Sequence, residues 1–91
     1  MHALVVTVSI EKDHLKEAEE ELHTRVVPMV RQAQGVVSGY WLAPVDGHGL
    51  SVVLYESEEA AQTAAAGIPN TPRPDFVTFD TIEVREVVAQ I

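Results

Sequence analysis

At 91 residues, 46% hydrophobic and 22% charged, the chain has the size of one domain and the composition of a folded protein, which excludes wholesale disorder. Fourteen acidic against six basic side chains leave a formal net charge of −8, so nucleic acid is not an expected partner. Zero cysteines exclude disulfides, thiolate catalysis and cysteine-ligated metal centres. No apolar run reaches the roughly 18–20 residues that span a bilayer, and the N-terminus lacks a basic region followed by an apolar core. No membrane partner is expected, and a cytoplasmic location is.

Ala3 to Ile10 alternates Leu4, Val6, Val8 and Ile10 with Ala3, Val5, Thr7 and Ser9, which predicts a strand. Its second face is small and half apolar instead of charged, the pattern of a strand covered on both sides. Glu11-Lys12-Asp13 opens a helix with Asp13 as its N-cap. Leu15, Ala18, Leu22, Val26, Met29 and Ala33 follow at steps of three or four and share one stripe, with Glu17, Glu20, Thr24 and Arg31 opposite as a solvated face. Lys16–Glu20 and Glu21–Arg25 are spaced as helix-stabilising ion pairs. Pro28 removes an amide donor and crowds the carbonyl of Thr24, but the stripe stays in phase across it, so one bent helix is expected. Gly35 supplies the left-handed stop.

Val36 to Ala43 is the second strand, interrupted at Ser38-Gly39 and closed by Pro44, and in it Tyr40 and Trp41 must point to opposite faces. Asp46-Gly47-His48-Gly49 makes a hairpin loop of several residues before the strand Leu50 to Tyr55. In that strand Leu50, Val52 and Leu54 alternate with Ser51, Val53 and Tyr55, so it too is largely apolar on both faces. Ser57 caps a short alanine-rich helix from Ala60 to Ala66, stopped by Gly67. The three prolines of Ile68 to Pro74 make an extended connection. Phe76 to Val88 is the last strand, whose imperfect alternation points to a bulge or an early end.

Strand, helix, strand, strand, helix, strand is the order of an α+β fold, the ferredoxin-like βαββαβ sandwich, with a four-stranded antiparallel sheet and two helices on one face. The first and third strands are central in that plan. They carry Ala3, Val5, Thr7, Ser51, Val53 and Tyr55 on one parity and aliphatics on the other, so the helix-free face calls for a cover. A second copy of the same sheet is the simplest one, which makes a homodimer the expected assembly.

The segment Gly35-Val36-Val37-Ser38-Gly39-Tyr40-Trp41, after a helix with Pro28, resembles the corresponding part of the antibiotic biosynthesis monooxygenase-like group in the dimeric α/β-barrel superfamily. The resemblance implies ferredoxin-like protomers packed sheet to sheet as homodimers, a dimeric α/β barrel. For activity it implies a range: cofactor-free monooxygenases, haem-degrading enzymes, isomerases and ligand sensors. Catalysis in the haem-degrading members is associated with an asparagine, a tryptophan and a histidine ligand. The only asparagine here, Asn70, lies in the proline-rich connection, and no histidine matches the ligand by context, so no cofactor is expected.

His14 and His23, on one helix, project about 180° apart and cannot share a metal. His2 is terminal and His48 sits in the glycine turn, so no metal site is expected either. His23 lies at the edge of the buried arc, where a cleft between helix and sheet would open. It is a candidate pocket-lining residue together with Tyr40, Trp41 and Tyr55, though each also reads as ordinary packing. No acid, base or nucleophile constellation assigns a catalytic residue. The expected role is binding of a small apolar or aromatic molecule in the helix–sheet cleft. The alternatives are a cofactor-independent monooxygenase or isomerase, and a non-catalytic interaction module.

Overall fold

The computed structural model describes residues 1–91. Strands β1 (His2–Ile10), β2 (Val36–Val45), β3 (His48–Tyr55) and β4 (Val77–Glu86) form one antiparallel sheet in the order β2-β3-β1-β4. A helical arm joins β1 to β2: a 3-10 turn (Lys12–His14), α1 (Leu15–Glu21), a π-helical segment (Leu22–Val26) and α2 (Val27–Arg31). Helix α3 (Glu58–Gly67) and a 3-10 turn (Ile68–Asn70) return the chain to β4. This is the expected ferredoxin-like plan, with β1 and β3 central.

Pro28 accounts for the π segment. It has no amide for the carbonyl four residues back, and its ring crowds that carbonyl. The preceding turn widens, so that the Val27 amide donates to Leu22, five residues back, and helical dihedrals continue through Val26 and Val27. The arm is therefore continuous, as the unbroken stripe predicts. Asp13, by contrast, does not cap it. The arm opens as a 3-10 turn without a side-chain cap, and His14 organises it instead, with Nδ1 2.7 Å from Glu17 and its ring stacked 4.7 Å from that of Phe76. Of the two expected ion pairs Glu21–Arg25 forms and Lys16–Glu20 does not.

Gly35 ends the arm at φ +80°, and a Cβ there would lie 2.8 Å from the Cβ of Ala60, so both its conformation and its surroundings require glycine. The hairpin is tighter than expected. β2 runs through Pro44 to Val45, β3 begins at His48, and the turn is Asp46-Gly47 with φ of 52° and 79°, a pattern suited to a two-residue hairpin. Pro44 is tolerated because β2 is an edge strand and the register shifts between Leu42 and Val45. His48 is thus a strand residue. β4 has both expected irregularities: it stops at Glu86, and Asp80 is skipped where the register shifts opposite Thr7/Val8.

Register decides the two faces. Leu4 lies opposite Val53 and Val84, and Val6 opposite Ser51 and Ile82. Leu4, Val6, Val53 and Tyr55 therefore face the helices and form the core with Ala61 of α3. Ala3, Val5 and Thr7 share the helix-free face with Leu54, Val52 and Leu50, which corrects the expected grouping with Ser51, Val53 and Tyr55. Alternation within a strand says nothing about which parity of a distant strand it will meet. The helix-free face has an apolar centre of Ala3, Val5, Tyr40, Leu42, Leu50, Val52 and Leu54, with Tyr40 59% and Leu42 52% exposed, and turns polar at Ser9 and His48 and on β4 at Thr81, Glu83 and Arg85.

Candidate functional site: a cleft between arm and sheet

No residue of α1, the π segment or α2 is buried, although their stripe is apolar. Leu15 and Met29, both in that stripe, are 38% and 46% exposed. The arm roofs a space instead of closing a core. Between it and the sheet lies a cleft of about 960 Å³, floored by Leu4, Val6, Val8, Trp41, Val53, Tyr55 and Phe79, with Ile68 and the Thr71–Pro74 segment also in its lining.

Trp41 reaches the floor because of Gly39. A Cβ on Gly39 would stand 3.1 Å from the Trp41 ring and 3.4 Å from Val53, so the indole folds back along β2 over a residue with no side chain. Tyr55 is 2% exposed, and its burial pushes the phenol pKa up from the ordinary 10.0, so the group is a hydroxyl donor at neutral pH and for some way above it. Tyr55, Trp41 and Ser51 line the cleft, and the two hydroxyls and the indole N–H make no side-chain hydrogen bond within the chain. They are the donors an apolar cleft offers to a guest.

His23 lies at the rim on the π segment, its side chain 68% exposed and Nε2 3.9 Å from Glu19. Tyr40 does not line the cleft. It stands on the helix-free face opposite Val52, because its neighbour Trp41 takes the helix side. Sequence reasoning missed Arg25, Arg73 and Ser51 in the lining. For Arg73 the available signal is its place between Pro72 and Pro74, which marks a rigid segment and not its destination.

A second polar group lies on the helix-free face, where the Ser9 hydroxyl donates to Asp80 Oδ2 at 2.6 Å and sits 3.3 Å from His48 Nδ1. The single hydroxyl proton is committed to the carboxylate, so His48 is not placed to remove it as a nucleophile's base would. No three His, Asp or Glu side chains converge at metal-ligand spacing, and no helix is long and apolar enough to cross a membrane.

No protein-family model and no curated protein matches the chain. Solved structures do, over nearly its whole length. The heme degrader MhuD of Mycobacterium tuberculosis, solved with two hemes bound in its active site, superposes with a TM-score of 0.77 at 21% identity, covering 100% of this chain and 99% of that one. A dimeric ferredoxin-like protein from an uncultured marine organism gives 0.69 at 13% identity, covering 100% and 98%. The monooxygenase from the gene ActVA-Orf6 of Streptomyces coelicolor, in complex with the ligand nanaomycin D, gives 0.57 at 17% identity, covering 99% and 90%. What is shared at such identities is the fold, the ferredoxin-like fold.

Proposed function

We propose that the chain acts as a homodimer that binds a small aromatic molecule in the helix–sheet cleft and oxidises it with molecular oxygen, as a cofactor-independent monooxygenase of the antibiotic biosynthesis monooxygenase-like type. The observation that carries this is the cleft: about 960 Å³, walled mostly by aliphatic and aromatic side chains, with a few unpaired donors. The nanaomycin complex and the heme degrader of the same fold support oxidative chemistry on extended ring systems. The apolar helix-free face and the dimeric relative support the homodimer.

An electron-rich phenol needs no cofactor, because its anion is itself the reductant. Bonding of O₂ to the ring carbon para to the phenol oxygen gives a hydroperoxide, and loss of water leaves a quinone. One oxygen atom stays in the product, the other leaves as water, and the ring gives up four electrons in all. The chain's part is to bind, orient and keep out water. Trp41 and the aliphatic floor hold the ring, while the Tyr55 phenol, a neutral donor, donates to the substrate's oxygen anion. His23 is the one imidazole in the lining, and its rim position suits it to accept the departing proton.

Haem does not fit this donor set. The iron is ordinarily held by His, Cys, Met or Tyr. Here His23 is on the exposed rim, cysteine is absent, Tyr55 is packed into the core of the floor and Met29 is 46% exposed on the arm. A second reading, binding without turnover, is favoured by the floor, where Leu4, Val6, Trp41, Val53, Tyr55 and Phe79 include no carboxylate or imidazole. Oxygen-electrode measurements on chelator-treated protein with 1-naphthol separate the two. Oxygen uptake matched by quinone formation supports the monooxygenase, and calorimetric binding without uptake leaves the binding role. Absence of both refutes the cleft proposal, and a monomer in native mass spectrometry at micromolar concentration refutes the homodimer.

A further inference from the structure

Three of the chain's six basic side chains, Lys16, Arg25 and Arg73, line the cleft, against only Glu19 and Glu21 of its fourteen acidic ones. The lining is therefore positive on a chain whose net charge is −8. Arg25 is paired with Glu21, and Glu19 lies near His23, but Lys16 and Arg73 have no carboxylate within ion-pair distance. Arg73 stands between Pro72 and Pro74, whose rings restrict the backbone, and its guanidinium donates to the carbonyl of Val77 at the start of β4. One hydrogen bond holds the group in place and leaves most of its five N–H donors free.

The position is one end of the cleft. Val77 pairs with Ile10 at the end of β1, and the arm that carries Lys16 is tied to the same end by Glu11 N–H to Phe76 O at 3.0 Å and by the His14–Phe76 stack. Tyr55, which pairs with His2, marks the other end. Trp41, opposite Ser51, lies between.

We propose that the cleft selects aromatic acids, with the ring system on the floor at Trp41 and a carboxylate held by Arg73 at the Ile10–Val77 end, Lys16 adding attraction at the same mouth. This rests on the reading of the cleft as an aromatic site and names the class of molecule it takes. An acidic chain repels anions at long range, so a pre-positioned, unpaired guanidinium in an apolar cleft acts on an anionic group only at contact, where charge-assisted bidentate bonding is strongest.

The test compares 2-naphthoate with its neutral isostere 2-naphthamide by calorimetry, with emission of Trp41, the only tryptophan, as a second readout. The naphthoate is expected to bind about tenfold more tightly than the amide. Arg73→Gln, at an exposed position, removes that preference, bringing naphthoate affinity down to that of naphthamide; Lys16→Gln reduces the preference a few-fold. Equal binding of the two probes, or a preference that survives Arg73→Gln, overturns acid selectivity while the cleft reading stands. Failure of both probes to bind the unaltered protein overturns the cleft reading and this one with it.

Discussion

Helix α3 and the helical arm lie over the same face of the same sheet, and only one of them touches down along its length. α3 presents alanines: Ala61 is fully buried, and Ala60, Ala64 and Ala65 pack around the core. Side chains this small let the helix backbone approach the strands. The arm presents Leu15, Leu22, Val26 and Met29, and joins the core only near its end, through Val30 and Ala33, just before the Gly35 stop. Larger side chains on a chain tied at Gly35 and His14 hold the roof off the floor. The same face is thus divided into a half that stabilises and a half that encloses space.

The sharpest way to break that division is to enlarge the docked helix. Ala61→Leu has no room, and overpacking of this kind costs about 1–3 kcal/mol; the midpoint of urea unfolding should fall accordingly. Leu22→Ala on the half-buried part of the arm should cost less than about 1 kcal/mol, because its side chain is already partly hydrated. If Leu22→Ala proves as damaging as Ala61→Leu, the arm is docked and the cleft is not open in solution.

Gly39→Ala probes the floor. The added methyl would meet the Trp41 ring at 3.1 Å and must displace it by a few tenths of an ångström. A stability loss of roughly 1 kcal/mol, a shifted Trp41 emission maximum and weaker 2-naphthamide binding are expected together. Unchanged emission would show that the indole does not lie over Gly39. Tyr55→Phe is gentler still. It should leave the unfolding midpoint at pH 7 nearly unchanged, since the hydroxyl has no partner in the chain, and weaken binding of phenols by about 0.5–1.5 kcal/mol. The raised native pKa also sets a sign: Tyr55 lets the fold keep full stability below the ordinary 10.0, and stability falls as pH rises from there through the native value. Tyr55→Phe should remove that alkaline loss.

What was legible in the sequence was local. The alternation of β1, the stripe of the arm, the Gly35 stop, the helical irregularity at Pro28 and the opposite facing of Tyr40 and Trp41 each follow from a few neighbouring residues. What was not legible was distant. The parity of β1 that meets Val53 is set by pairing across about fifty positions. Arg73 reaches the cleft only because Val77 pairs with Ile10. Asp13 satisfies the chemistry of a cap, yet His14 orders the arm through Phe76, a residue from the far end of the chain. The Asp46-Gly47 turn is the exception that was readable locally: the dipeptide favours a two-residue hairpin, and Pro44 and Gly49 on either side disguised it as a longer loop.

The smallest expected effect returns to the arm's first turn, where exposed side chains do the holding. Glu17 is pulled below the ordinary 4.5 chiefly by its hydrogen bond to His14. A depressed native pKa means that the contribution is present above 4.5 and is lost as pH falls through the native value. Both partners are largely exposed, so the effect is local and screened by salt. Between roughly pH 5 and 3, amide resonances of Lys12 to Ala18 should shift while those of α3 stay in place, and Glu17→Gln should abolish the shift. His14 also stacks on Phe76 beside the Ile10–Val77 end, so any response to protonating Glu17 should start there. If the arm and α3 instead respond in one step, the two halves of the helical layer are a single cooperative unit, and the division drawn between them holds for packing but not for energetics.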